Sequence, residues 1–183
     1  MREQARFWLR DFQRRLGITT IYVTHDQAEA LAISDMVAVM SNGKLLQYAP
    51  PLDVYEKPTS KFVADFIGVS SFLNGTIIER AQNKTHVKIE TGETLTSARP
   101  APAGDKVTIA IRSERIRLVP ASDQSPNTIP AKVASGVYLG SKWQYLVELK
   151  SGTMRVETMD AAPGEHIRLA FAPEDLILLA NEQ

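Results

Sequence analysis

The chain has no cysteine among its 183 residues. That excludes disulfides, thiol nucleophiles and cysteine-ligated zinc, and it fits a reducing compartment. There is no surplus of either charge: Lys plus Arg and Asp plus Glu stand at 21 each, a formal net charge of zero. A neutral chain exerts no long-range pull on nucleic acid or anionic lipid, so neither is expected as a partner. No apolar run approaches the roughly 20 residues that a membrane helix needs, so no direct membrane insertion is expected. The charged opening Met1-Arg2-Glu3-Gln4-Ala5-Arg6 lacks the apolar core of a secretory signal. Any membrane association would then run through a protein partner. What remains is a globular balance, 44% hydrophobic and 23% charged, which argues against long disorder. The length suffices for one domain or two small ones.

The pattern changes near Gly68. Before it, helical and strand signals alternate. Residues 2–16 read as a helix, with Ala5, Trp8, Leu9, Phe12 and Leu16 on one face and Arg6, Arg10, Arg14 and Arg15 elsewhere. Gly17 is a natural stop. Ile18 to Thr24 is mostly β-branched and barely alternates, which predicts a strand buried on both faces of a parallel sheet. Asp26 followed by Glu29 predicts a capped helix start. Residues 36–40 and 44–48 read as strands joined by an Asn42-Gly43 type I′ turn. A short helix carries Val54 and Tyr55. Thr59 or Ser60 caps another, with Phe62, Val63, Phe66 and Ile67 on its apolar side.

After Ser70 the signals are short strands at 72–80, 85–90, 106–112, 131–137, 143–149, 153–158 and 166–172. Trp143, Tyr145, Val147 and Leu149 alternate onto one face, the mark of a half-buried antiparallel sheet. This region repeats itself. Residues 104–111 (GDKVTIAI) match 164–171 (GEHIRLAF), an offset of 164 − 104 = 60, and the match continues through 113–118 and 173–178. A weaker echo links residues 74–77 to 130–133. Two related halves of one small β-barrel fit that period, since each half is too short to bury its own core.

The string carrying chemistry is Thr19-Thr20-Ile21-Tyr22-Val23-Thr24-His25-Asp26-Gln27-Ala28-Glu29-Ala30. A hydrophobic segment delivers a histidine at its end and a helix starts at once. In open parallel sheets, ligands bind at that edge, and an imidazole there can donate a hydrogen bond to a phosphate. With the following Leu31 to Met40 and Asn42-Gly43-Lys44, the string resembles the end of the nucleotide-binding domain of ABC importer ATPases. The stretches 51–58 and 62–68 resemble that family's link into its accessory domain, and the region beyond resembles its TOBE domain, an OB-like β-barrel. Ser71-Phe72-Leu73-Asn74-Gly75 is closest to the polyamine and iron importers of the group, which also includes sugar importers.

The resemblance implies an α+β chain: a truncated α/β remnant of an ABC ATPase domain over residues 1–68, then an all-β OB-like TOBE barrel over 69–183. It implies that His25 is the switch histidine, which senses the γ-phosphate in the intact parent, with Asp26 fixing the following helix. It implies ATP and magnesium as the parent's cofactors, a second ATPase subunit and membrane permease subunits as partners, and a place on the inner face of the cell membrane. The chain itself has no Gly-x-x-x-x-Gly-Lys-Ser/Thr loop, no Leu-Ser-Gly-Gly-Gln signature and no strand ending in Asp-Glu. It is expected to hold no cofactor or metal alone and to be inactive alone, because phosphoryl transfer needs a phosphate cradle and a carboxylate-held metal. Residues before about Asp35 are expected to self-associate, to exchange with a second copy or to be poorly ordered. A different class of function, a stand-alone module binding an oxyanion or acting in dimerisation or regulation, also fits the barrel.

Other residues read as structural. His86 and His166 lack partners at metal-ligand spacing. Glu114 and Glu174, equivalent in the repeat, read as turn or capping residues. Trp143 and Tyr145 read as core on at least one face. Arg112, Arg115 and Arg117 form an anion site on paper, but Glu114 interrupts them and a solvated strand edge is expected.

Overall fold

The computed structural model describes residues 2–181, and the chain divides into two compact units between Gly68 and Val69. In the first unit, helix α1 (Arg2–Leu16) ends where Gly17 takes a φ of 63° and its N–H returns to the Gln13 carbonyl at 3.1 Å. No described side chain of α1 is buried. Its apolar stripe faces outward, with Phe7, Trp8, Phe12 and Leu16 exposed and the Trp8 and Phe12 rings stacked at 5.1 Å.

The strand expected over residues 18–24 does not form. That stretch has no regular secondary structure, and Ile21 and Val23 are 90% and 91% exposed. The physical reason is that strand propensity is realised only against neighbours, and no described strand pairs with this segment. A stripe of this kind is an exposed apolar patch of the sort that marks an interaction surface. The chain is therefore expected to sediment as more than a monomer at micromolar concentration, and Trp8→Ser with Phe12→Ser to move it toward monomer. A wild-type chain that stays monomeric would contradict this.

Helix α2 (Gln27–Ile33) is followed by strands β1 (Val37–Ser41) and β2 (Lys44–Ala49), an antiparallel hairpin. Asn42 and Gly43 take φ values of 49° and 73°, as the type I′ turn requires. Helices α3 (Pro51–Glu56) and α4 (Lys61–Ile67) complete the unit, the latter capped by Ser60 Oγ accepting from the Val63 N–H at 3.2 Å. Its core is small: Val37, Val39, Val54, Val63 and Ile67. Buried Gln47 ties β2 to the loop beyond α3, donating to the Lys57 carbonyl and accepting from the Thr59 N–H, both at 3.0 Å.

The second unit holds, among the described residues, two five-stranded antiparallel sheets. Its first half supplies β3 (Ser70–Ala81), β4 (Lys84–Ile89), β5 (Thr94–Ser97), β6 (Lys106–Arg112) and β7 (Arg117–Pro120). Its second half supplies β8 (Thr128–Tyr138), β9 (Trp143–Leu149), β10 (Gly152–Thr158), β11 (His166–Ala170) and β12 (Ile177–Ala180). The sheet orders are β5-β4-β3-β6-β12 and β10-β9-β8-β11-β7. Each half thus places its last strand in the other half's sheet. β12 pairs with β6 through Ile177 opposite Ala110, and β7 pairs with β11 through Arg117 opposite Ala170. Both offsets, 177 − 117 and 170 − 110, equal the 60-residue repeat, so the exchange is reciprocal. A bulge interrupts β3 between Ile77 and Glu79, and β8 at the matching place between Val133 and Ser135.

The side chains between the sheets form one core, with Val87, Leu95, Ile109, Ile129, Val147 and Leu169 almost wholly enclosed. Two polar clamps tie each sheet to the other's edge strand. Asn127, buried with φ 57°, accepts from the Thr96 N–H and donates to the Thr96 carbonyl of β5, both at 2.7 Å. Ser71 on β3 accepts from the Arg155 N–H of β10 at 3.2 Å. The second unit is thus all-β and barrel-like, and with the helices and hairpin of the first unit, which precedes it in sequence, it makes an α+β chain. No helix among the described residues is long and apolar enough to cross a membrane.

Candidate functional site

His25 lies in the turn between the irregular segment and α2, exposed to solvent. The residues on either side are held by a closed set of hydrogen bonds. Asp26 caps α2, its Oδ1 accepting from the Glu29 N–H at 3.0 Å. The Asp26 N–H donates to Thr24 Oγ1 at 2.9 Å, and the Thr24 hydroxyl donates to Glu29 Oε2 at 3.1 Å. Tyr22 donates its hydroxyl to the same Glu29 oxygen at 3.0 Å. The expected capping box is present in altered form: the Glu29 carboxylate serves two hydroxyls, and Thr24 takes the N–H it would otherwise have bonded.

The charges follow this geometry. The hydrogen bond from the Glu29 N–H holds the Asp26 carboxyl below its ordinary value, with Arg6 pulling the same way. The hydrogen bond to Glu29 raises the Tyr22 phenol. Since the folded-state Asp26 value is depressed, its stabilising effect is full above the ordinary carboxylate range and is lost as pH falls through the depressed value. The Glu29 amide is therefore expected to stay protected from exchange at pH 5–7 and to lose protection below about pH 4, while the Val63 amide in α4 changes less. Equal loss at both would contradict the assignment.

His25 itself makes no hydrogen bond or ion pair among the described residues. The turn thus presents an imidazole whose ring nitrogens are available to an outside acceptor, as a phosphate contact requires. The sequence holds no phosphate loop to cradle the rest of a triphosphate.

The other candidates do not converge on a site. His86 is half-buried and bonds Thr96 Oγ1 at 2.9 Å, with Glu79 at 3.9 Å. His166 is exposed on β11. Glu114 and Glu174 sit in one-turn 3₁₀ helices, 113–115 and 173–175, which follow β6 and β11. The arginine reading needs correction. Arg112 is not solvated but buried, its Nη1 donating to Ser70 Oγ at 2.7 Å, because β6 is an interior strand of its sheet, flanked by β3 and β12. Arg115 pairs with Asp175 at 3.8 Å, its equivalent in the other half, and Arg117 is exposed. Trp143 and Tyr145 stack at 5.6 Å and pack toward the core, where Gly136 leaves room for the Tyr145 ring. Among the described residues no three His, Asp or Glu side chains gather as a metal site would need.

Residues 109–179, β6 to β12, match the TOBE domain family. The spermidine/putrescine import ATP-binding protein PotA of Rubrobacter xylanophilus is 37% identical over 100% of this chain and 51% of its own length. PotA 1 of Pseudomonas aeruginosa is 38% identical over 99% of the chain and 50% of its own. PotA of Roseobacter denitrificans is 40% identical over 94% and 48%. The chain belongs with the carboxy-terminal part of ABC importer ATP-binding subunits. It spans about half the length of these relatives. The TOBE match takes in both exchanged strands. Among solved structures, the cytoplasmic molybdate-binding protein ModG is 14% identical, with a TM-score of 0.49 over 67% of this chain and 97% of that one.

Sequence reasoning found His25 and Asp26 but missed what holds them. Arg6 donates from Nη2 to both Asp26 oxygens, at 3.5 and 3.3 Å. Arg10 donates from Nη1 to the Ala32 and Ser34 carbonyls, both at 3.2 Å, and lies 3.4 Å from Asp35. Arg6 and Arg10 are four apart, which places them on one face of α1, but nothing local pointed to partners 20 and more residues away.

Proposed function

We propose that this chain is the energy-coupling end of a polyamine importer's ATP-hydrolysing subunit, in which His25 senses the terminal phosphate. One observation carries the reading: His25 stands exposed and unbonded in a turn whose neighbouring residues are all held by other groups. The spermidine/putrescine relatives support the substrate class. In the whole subunit, ATP and magnesium would supply the triphosphate and its charge neutralisation. The part played by this chain's own residues is to donate one hydrogen bond from the His25 ring and to hold that ring through Thr24, Asp26 and Glu29. The first unit would belong to the ATPase domain and the TOBE unit would serve dimer contact or regulation. A second ATP-binding subunit and membrane permeases would be the partners, placing the assembly on the inner membrane face.

The test has two arms. The chain alone is expected to release no phosphate from ATP above buffer. In the ATP-binding subunit that contains this segment, His25→Ala is expected to lower kcat about 100-fold, the size of effect seen when a single positioned donor is lost, with ATP binding little changed. Turnover by the chain alone, or an unaffected kcat in the variant, would sink the reading.

A further inference from the structure

Among the described residues, Arg6 is the side chain of α1 that reaches the turn carrying His25. Its guanidinium touches both oxygens of Asp26, the residue directly after the histidine, while that same carboxylate caps α2. The Arg6 Nε is shut off from solvent without a hydrogen-bond partner among the described residues. One helical turn on, Arg10 takes the carbonyls at the far end of α2. The two arginines therefore grip α2 at both ends, and the grip at the amino end passes directly to the backbone on which His25 sits.

We propose that Arg6 is a positioning residue for His25, acting through Asp26 to set the direction in which the imidazole leaves the turn. This rests on the reading of His25 as a phosphate sensor. Arg6 touches no reacting group. Its ion pair, only partly shielded from solvent, contributes little to stability. Its effect lies in geometry, since a donor displaced by about 1 Å can lose much of its rate contribution.

The experiment compares Arg6→Gln, Arg6→Lys, Asp26→Asn and the Arg6→Gln/Asp26→Asn pair. Asn remains a good helix cap, so Asp26→Asn removes the charge partner and spares the helix start. In the present chain, Arg6→Gln is expected to shift and broaden the amide resonances of Thr24, His25 and Asp26, while those of Val54 and Val63 stay in place. In the ATP-binding subunit containing the segment, Arg6→Gln is expected to cut kcat about tenfold with KM for ATP within twofold, and Arg6→Lys to restore at least half. The double variant is expected to be no worse than the poorer single one, the signature of two residues acting through one contact. Unmoved His25 resonances, or losses that multiply in the double variant, would overturn the proposal. An unaffected His25→Ala enzyme would instead overturn the phosphate-sensor reading, and the resonance shifts would still decide whether Arg6 holds the turn.

Discussion

A chain ending at Asp175 is expected to lose the fold of its second unit altogether. The cut removes Leu176, Ile177, Leu178 and Leu179, each at most 8% exposed. Burial of a large aliphatic side chain contributes about 1.5–3 kcal/mol, so four together contribute about 6–12 kcal/mol. That rivals the whole stability of an ordinary domain, about 5–15 kcal/mol. The loss also strips β6 of one partner, exposing Ile109 and Ile111, which are fully buried in the intact unit. Circular dichroism should show no cooperative thermal transition for this unit, and a synthetic peptide of residues 176–183 added in excess should restore one. A truncated chain that melts within a few degrees of the parent would show that the exchanged strand is dispensable.

Asn127→Ala is expected to destabilise the same unit by about 2–4 kcal/mol. Two hydrogen bonds to one residue of an edge strand disappear, and an unsatisfied, partly buried backbone group costs about 1–3 kcal/mol. Alanine at a φ of 57° adds about 1 kcal/mol of backbone strain. Asn127→Gly separates the two effects, because glycine takes that φ freely while lacking the amide. If the clamp matters, the glycine variant remains destabilised by most of the alanine loss in urea denaturation. If it recovers to wild type, the amide contacts contribute nothing and strain accounts for the alanine result.

Much of this architecture was readable from residues alone where the information was local. The helix over residues 2–16 and the strands over 106–112 and 143–149 have the expected bounds, because a 3.6-residue or two-residue period ran unbroken through them. The 60-residue offset pointed to two related halves. What the repeat could not disclose was the exchange between them. β5, β7 and β12 are not legible as strands: each has four residues, too few to show a period, and β7 and β12 are strands by virtue of partners in the opposite half. Ile18 to Thr24 failed the other way, with strong β-branched character and no partner to realise it. At the candidate site, Asp26 and Glu29 are legible by their spacing, and His25 through the family resemblance of its segment. Arg6 is legible only as lying off the apolar face of α1, since its partner lies 20 residues on. Asn127 had a signal that went unread: Ser125-Pro126-Asn127 is a turn sequence, and asparagine is among the few side-chain-bearing residues that tolerate a left-handed backbone.

The reciprocal pairing also decides how the TOBE unit would bear tension. The chain enters the unit along β3 and leaves it along β12, and both lie antiparallel against β6. Ser70, at the entry, sits opposite Arg112 at one end of that strand; Ala180, at the exit, sits opposite Val107 near the other. Pulling the two ends apart therefore drags along the strand in opposite directions and loads its flanking hydrogen bonds all at once, rather than peeling them one by one. The second sheet stands outside that line of force.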